Sequence, residues 1–285
     1  MMPHSHLKIG TFAESRCTAG AFYILGEDAV FAAYGSVFRD NTASTNTAGF
    51  SIWMKARASM TDCLVTGHWS GGETGVLSVR EEATMSILRT TFRDNGAASY
   101  AGCFNVYSLG VLTIDDSDIL NCWAGGYEGM LRVDSGLVTI TNSRMTGNGA
   151  AGRGGLAGLT GSDAILRIAS STIKDTNSGV GEFAIVVDDS VPEFALQLDT
   201  VVVDGSVDIF SHGKVLVQNC QGLNSTAVQN ASVGTCESTT DYCLAESCAD
   251  DRVGIECICE IDGVPNPFPT DCMQSAVIEV RRLSS

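Results

Sequence analysis

The apolar residues of this chain follow a repeating pattern. In the stretch 110–121, Leu112 and Ile114 alternate with polar residues, and Ile119 follows five positions after Ile114. The same apolar pair and trailing large apolar residue recur as Phe31/Ala33/Phe38, Met85/Ile87/Phe92, Val138/Ile140/Met145, Leu166/Ile168/Ile173 and Leu196/Leu198/Val203. Leu64 completes the series if one residue is deleted ahead of it. The phase-marking residues are then 26, 28, 27, 26, 28 and 30 positions apart. Val215 and Val217 open a last, shorter copy. A period of this size held across most of a chain signals a solenoid.

Alternation with period two predicts strands rather than helices. A small polar residue stands two positions before six of the seven phase-marking residues: Ser36, Asp62, Thr90, Ser117, Ser143 and Ser171. Asn41, Asn95 and Asn148 stand three positions after it. In stacked coils such equivalent positions lie about 4.8 Å apart, so an Asn can bond its neighbours at a bend. A second strand is expected at 48–53, 74–79, 101–106 and 129–133. The predicted fold is all-β: a right-handed parallel β-helix of seven to eight coils of about 27 residues, roughly 35 Å long. The hand follows from the rule for parallel crossovers. A leucine-rich repeat would need a denser Leu/Asn consensus and a helical arc. The stretches between units are Gly, Ala, Ser, Thr and Asn, which are poor helix formers.

The pattern divides the chain into a partial coil or cap (1–18), the β-helix (19–222), a linker (223–235), a cysteine-rich module (236–272) and the opening of a further domain (273–285). The stretches 41–47, 67–74, 95–100, 122–126 and 148–155 share one phase and are expected to project as loops from one side of the rod, where solenoids bind. Trp69 and Trp123 lie in two of them, with Tyr100 and Tyr127 at loop ends. These four are the binding candidates, suited to stacking on sugar rings or to a protein hot spot. The alternative is that the rings fold back over the coil surface.

Phe38-Arg-Asp-Asn41 and Phe92-Arg-Asp-Asn95 match the Phe-x-x-Asn half of the repeat of chlamydial polymorphic outer-membrane proteins, and Met145-Thr-Gly-Asn148 is a near match. Ala48-Gly-Phe-Ser-Ile52 and Ala101-Gly-Cys-Phe104 stand where that family has Gly-Gly-Ala-Ile, in degenerate form. Residues 19–222 thus resemble that family's β-helix. The resemblance implies an adhesin-like displayed rod.

Composition narrows the classes. The net charge of −16 and the pI near 4.5 argue against nucleic acid and anionic membrane surfaces as partners. Asp115, Asp116 and Asp118 form the densest acidic cluster, but without calcium-loop spacing, and read as an exposed turn. No apolar run is long enough for a transmembrane helix, so this segment is not expected to insert into a membrane. The N-terminus lacks the apolar core of a signal peptide. Together with an extracellular character elsewhere, this suggests a fragment of a larger surface protein whose N-terminus is incomplete.

Six of the eleven cysteines cluster at Cys236, Cys243, Cys248, Cys257, Cys259 and Cys272. So short and polar a segment needs disulfides, hence an oxidising compartment. Spacing alone leaves every connectivity open. A zinc site is the alternative, disfavoured by the lack of a Cys-x-x-Cys pair and of a nearby His. The order, with one residue between the fourth and fifth cysteines, resembles an EGF-like module. That resemblance implies the pairs Cys236–Cys248, Cys243–Cys257 and Cys259–Cys272. The Gly-aromatic turn expected after the fifth cysteine is replaced by Glu260-Ile-Asp-Gly-Val-Pro-Asn-Pro-Phe-Pro269. Asn224 and Asn230 head two glycosylation sequons in the linker. Cys17, Cys63, Cys103, Cys122 and Cys220 remain, an odd number that sequence does not pair.

Parallel β-helices include pectate lyases and polygalacturonases. Asp188-Asp189 and Ser211-His212-Gly213 bear a faint likeness to the paired aspartates and His-Gly element of polygalacturonases. The Asn-Thr-Asp and Arg-Ile-Lys elements are missing, and Asp188-Asp189 precedes plain turn chemistry. Asp188, Asp189 and His212 are the catalytic alternative. The leading expectation is a non-enzymatic extracellular or cell-surface scaffold for adhesion, with a cell-surface protein or carbohydrate as partner and no cofactor or metal. A carbohydrate-active enzyme and a structural spacer are the rivals.

Overall fold

The structure is a computed structural model. It describes residues 22–179, 183–192, 194–205, 207–212 and 215–223, together with the backbone of short strands at 11–13, 16–17, 228–229, 236–237, 242–243, 255–261, 264–266 and 277–282. The described residues form only strands and turns, wound as a parallel β-solenoid of about seven turns about 27 residues apart. The regular Leu/Asn-and-helix architecture of a leucine-rich repeat is absent from them.

One coil shows how the sequence makes the turns. Thr84–Leu88 lies in a sheet we call D, Thr91–Arg93 in sheet A, Gly96–Ala97 in sheet B and Phe104–Tyr107 in sheet C. The chain then re-enters sheet D at Val111–Asp115, one coil higher. A left-handed residue turns the corner between D and A, and another turns the corner between A and B. The second corner is occupied by Asp40, Gly67, Asp94, Asn121, Gly147, Asp175 and Gly205, with φ between 51° and 108°. Asp, Asn and Gly are the residues that tolerate this conformation.

The alternation fixes what faces in. Met60, Ile87, Ile114, Ile140 and Ile168 stack from sheet D against Phe38, Val65, Phe92, Ile119, Met145 and Ile173 from sheet A and Leu77, Phe104 and Leu131 from sheet C, all buried. Phe92 and Phe104 meet edge to face at 5.0 Å. Truncating either ring costs about 3–5 kcal/mol.

The register corrects the phase given to the second coil. Val65, not Leu64, pairs with Phe38 and Phe92 and points inward. No deletion is needed, and the first steps are 27 residues each. The polar position two before the phase-marking residue is therefore held by Cys63 rather than Asp62. There the side chains form a ladder. Thr90 Oγ1 accepts from the Cys63 N–H at 3.3 Å, Ser117 Oγ from Thr90 at 3.0 Å, Ser143 Oγ from Ser117 at 3.1 Å and Ser171 Oγ from Ser143 at 3.1 Å. Each donates in turn to the carbonyl two residues before it, as Cys63 Sγ does to Thr61.

A second ladder runs through the Asn positions. Asn95 Oδ1 accepts from the His68 N–H and Asn148 Oδ1 from the Cys122 N–H, both at 2.9 Å. His68 and Cys122 take the places of the absent asparagines. Burial holds the His68 imidazole down to about 4. Cys122 is joined across the interior to Cys103, a pairing that spacing did not reveal. Cys63 is buried with a free thiol, and Cys220 is buried.

Beyond the last coil, the backbone of Val277–Arg282 pairs antiparallel with both Val215–Gln218 and Ile255–Ile261. The expected disulfides among Cys236, Cys243, Cys248, Cys257, Cys259 and Cys272, the sequons at Asn224 and Asn230, and the cap at 1–18 lie outside the residues whose side chains are described. Among the described residues, no helix is long and apolar enough to cross a membrane.

Candidate functional site

Sheet C carries the site. In its strands Phe50–Trp53, Leu77–Arg80, Phe104–Tyr107 and Leu131–Asp134, the first and third residues enter the core, so the second faces outward. Ser51, Ser78, Asn105 and Arg132 form that outward column, continued by Gly158. Ser51, Ser78 and Asn105 are nonetheless buried, because the chain entering each strand rises beside them as a wall. The wall is built from Thr47 paired with Thr74 and from Tyr100 paired with Tyr127. The fourth strand residues, Trp53, Arg80, Tyr107 and Asp134, form the opposite wall.

Between the walls lies a groove with a cavity of about 250 Å³, lined by Ser51, Ser78 and Asn105 below and by Thr47, Glu73 and Trp53, Arg80, Tyr107 at the sides. The Arg80 guanidinium sits 3.0 Å over the Trp53 ring centroid and 5.4 Å from that of Tyr107. Cation–π contacts of this kind contribute about 1–2 kcal/mol when shielded from water. Arg80 Nε lies 3.7 Å from Glu81, too far for a hydrogen bond. Trp53 Nε1, Arg80 Nε and Asn105 Oδ1 are buried without a hydrogen-bond partner. Such atoms carry a desolvation cost of roughly 1–3 kcal/mol each.

Two coils along, the groove changes character. Glu128, on the wall, folds its side chain over the floor at Gly158. A Cβ at Gly158 would lie 2.5 Å from Glu128 Cγ and 2.8 Å from Oε1. Glu128 is only 7% exposed, and its Oε2 has no hydrogen-bond partner. Burial pushes the carboxyl up to about 7, with the Arg132 and Arg153 charges pulling the other way. The two arginines rest on aromatic faces, Arg132 at 5.1 Å from Tyr100 and Arg153 at 5.8 Å from Tyr127, and the two tyrosines stack at 5.8 Å.

The structure thus brings Tyr100 and Tyr127 together on the groove rim and places Trp69 and Trp123 elsewhere. Trp69–Ser70 and Trp123–Ala124 are strands of sheet B rather than loops. In their column Trp69, Gly96, Trp123 and Gly149 alternate. A Cβ at Gly96 would lie 2.6 Å from the Trp69 ring and one at Gly149 2.9 Å from the Trp123 ring. Each indole therefore lies back over a glycine of the next coil, while staying 44% and 37% exposed.

Asp188 and His212 fall in the column of Asp134 and Thr160. Asp188 N–H donates to Leu159 O and His212 N–H to Val187 O. The Asp188 carboxylate accepts from the Asp189 N–H at 2.8 Å, as in a simple turn, and the His212 ring meets Phe210 edge-on at 4.8 Å. Asp115 accepts from Thr141 and Asn142, and Asp118 pairs with Arg144 at 3.0 Å. No group of His, Cys, Asp and Glu suited to hold a metal occurs among the described residues.

Trp53, Arg80, Asn105, Tyr107, Glu128, Arg132 and Arg153 were not singled out by sequence. For Trp53, Arg80, Asn105, Tyr107 and Arg132 the signal was present. Once Val65 marks the second coil, Ser51, Ser78, Asn105 and Arg132 each stand thirteen residues after the phase-marking residue, and Trp53, Arg80 and Tyr107 fifteen after it. A polar column at an outward strand position, flanked by an aromatic and arginine column, marks a lined surface.

No family model, no curated protein and no solved structure matches this chain.

Proposed function

We propose that the chain is an extracellular recognition solenoid that binds carbohydrate along the sheet C groove. One observation carries the reading. Six buried side-chain polar atoms lack a hydrogen-bond partner among the described residues, and four of them, on Trp53, Arg80, Asn105 and Glu128, belong to this one groove. Trp53 and Arg80 offer N–H donors and Asn105 an acceptor. A ligand that satisfies them needs donors and acceptors in close alternation beside a face that packs on rings. Sugars have that chemistry, and sites of this kind are apolar-walled clefts with a few placed polar groups.

The buried Cys103–Cys122 disulfide supports an oxidising compartment. So does the EGF-like cysteine order of 236–272. With the Phe-x-x-Asn resemblance to the chlamydial surface repeats, these support the reading of an adhesin-like, cell-surface role.

The test is the secreted full chain on an array of neutral and acidic oligosaccharides. Binding that falls at least tenfold in Arg80→Ala and Asn105→Ala, and persists in Trp69→Ala, is the expected result. Absence of binding, or equal loss in all three variants, contradicts the reading.

A further inference from the structure

The upper end of the groove differs chemically from the lower. Below, Trp53, Arg80, Tyr107 and Asn105 offer mixed donors and acceptors around a cavity. Above, two arginines stand about a single buried carboxyl that neither holds by a hydrogen bond. This occurs in a chain with 33 acidic and 17 basic residues, where an arginine has many carboxylates to choose from. Arg153 is exposed, and its described contact is the Tyr127 face. Arg132 reaches Asp134 only at 3.4 Å.

The groups that face the Glu128 carboxyl can be named element by element. Gly158 lies beneath it without a side chain, Arg132 comes from the neighbouring floor strand, and Arg153 comes from the next coil of the wall. Asp134, on the opposite wall, is tied to Arg132. With Glu128 in its acid form, the cluster of Glu128, Arg132, Arg153 and Asp134 carries one net positive charge. The field of the remaining acidic surface is screened beyond about 8–10 Å at physiological salt.

We propose that this end of the groove is a carboxylate-binding subsite, in which Arg132 and Arg153 pair with the carboxylate of an acidic sugar unit and the Glu128 acid group donates a hydrogen bond to it. The inference rests on the carbohydrate reading of the groove and names one unit of the ligand. Guanidinium groups suit carboxylates by geometry as well as charge. The donated proton is what allows two carboxyl groups to share one site. Ionisation of Glu128 turns its contact from attraction to repulsion, so affinity for the acidic unit falls as pH rises through neutrality.

The test is calorimetric titration of the full chain with two oligosaccharides of equal length, one of neutral hexoses and one containing a hexuronate, at pH 5.5, 7 and 8.5. Acetate is titrated separately. The expected result is at least tenfold tighter binding of the uronate ligand at pH 5.5, with the advantage lost by pH 8.5. Glu128→Gln keeps a donor and should flatten this pH dependence, and Arg153→Ala, a surface change, should remove the preference. If the neutral ligand binds and the uronate ligand binds no tighter, or if Glu128→Gln keeps the pH slope, the subsite is wrong and the groove reading stands. If acetate alone binds as tightly as the oligosaccharide, the sugar assignment fails. If neither oligosaccharide binds, both readings fall.

Discussion

The side chain of Glu128 occupies the space that a Cβ at Gly158 would need, with Cγ only 2.5 Å from that position. The two residues are thirty apart in sequence and adjacent in space because Glu128 leans across one coil. Gly158→Ala should therefore evict the carboxyl and destabilise the fold by about 1–3 kcal/mol, as overpacking does. Paired with Glu128→Ala, which clears the space, the same substitution should cost much less. Chemical denaturation of the two single variants and the double variant measures that coupling.

Glu128 and His68 make stability depend on pH in opposite senses. The Glu128 carboxyl is raised to about 7 by burial from an ordinary 4.5. Its contribution is complete below pH 4.5 and is lost as pH rises toward 7, on the order of 3 kcal/mol. Burial lowers the His68 imidazole from 6.5 to about 4. Its contribution is complete above pH 6.5 and is lost as pH falls toward 4. Melting curves from pH 4 to pH 8 should show Glu128→Gln abolishing loss on the alkaline side and His68→Asn abolishing loss on the acid side. An unchanged acid limb in His68→Asn would remove His68 as its cause.

The hydroxyl ladder can be broken at one rung. Thr90 Oγ1 accepts from Cys63 N–H and donates to Leu88 O. Thr90→Val keeps the shape and leaves the Cys63 N–H without its acceptor, while Leu88 O keeps the Asp62 N–H, at a cost of roughly 1–3 kcal/mol. Cys63→Ser, by contrast, puts a hydroxyl where neighbouring coils already have one, and should leave the midpoint of denaturation within about 1 kcal/mol of the parent.

Cys103 and Cys122 close a segment of 19 residues inside the core. Replacing both with alanine removes that constraint on the unfolded chain and should lower stability by about 3 kcal/mol. Peptide mapping without reduction should recover the linked pair, and a map with both thiols free would contradict it.

Much of the fold was legible because a solenoid repeats its evidence. Phe38, Phe92, Ile119 and Ile173 each report the same inward position, so one ambiguous coil does not spoil the pattern. That coil still had a consequence. Placing Leu64 instead of Val65 in phase hid Cys63 in the hydroxyl ladder and put Ser78 and Arg80 out of step with Asn105 and Tyr107. The groove columns were then unreadable. The prominence of Trp69 and Trp123 had a different cause. Aromatic residues amid Gly and Ser look like loop residues, and only the register shows Gly96 and Gly149 lying beneath the rings. Glu128 carried no sequence signal, since its burial depends on a glycine one coil away.

The proposed ligand lies on sheet C at Trp53. The chain has three tryptophans, at positions 53, 69 and 123. In Trp69→Phe/Trp123→Phe the sole indole is the one under Arg80. The most direct measurement is the emission of this variant titrated with the oligosaccharide that binds the parent chain. A saturable change in Trp53 emission at the parent affinity, lost in the added Arg80→Ala background, is the expected result. Binding at parent affinity with no change in Trp53 emission, while Trp69 and Trp123 respond in the converse Trp53→Phe variant, would place the ligand on sheet B and contradict it.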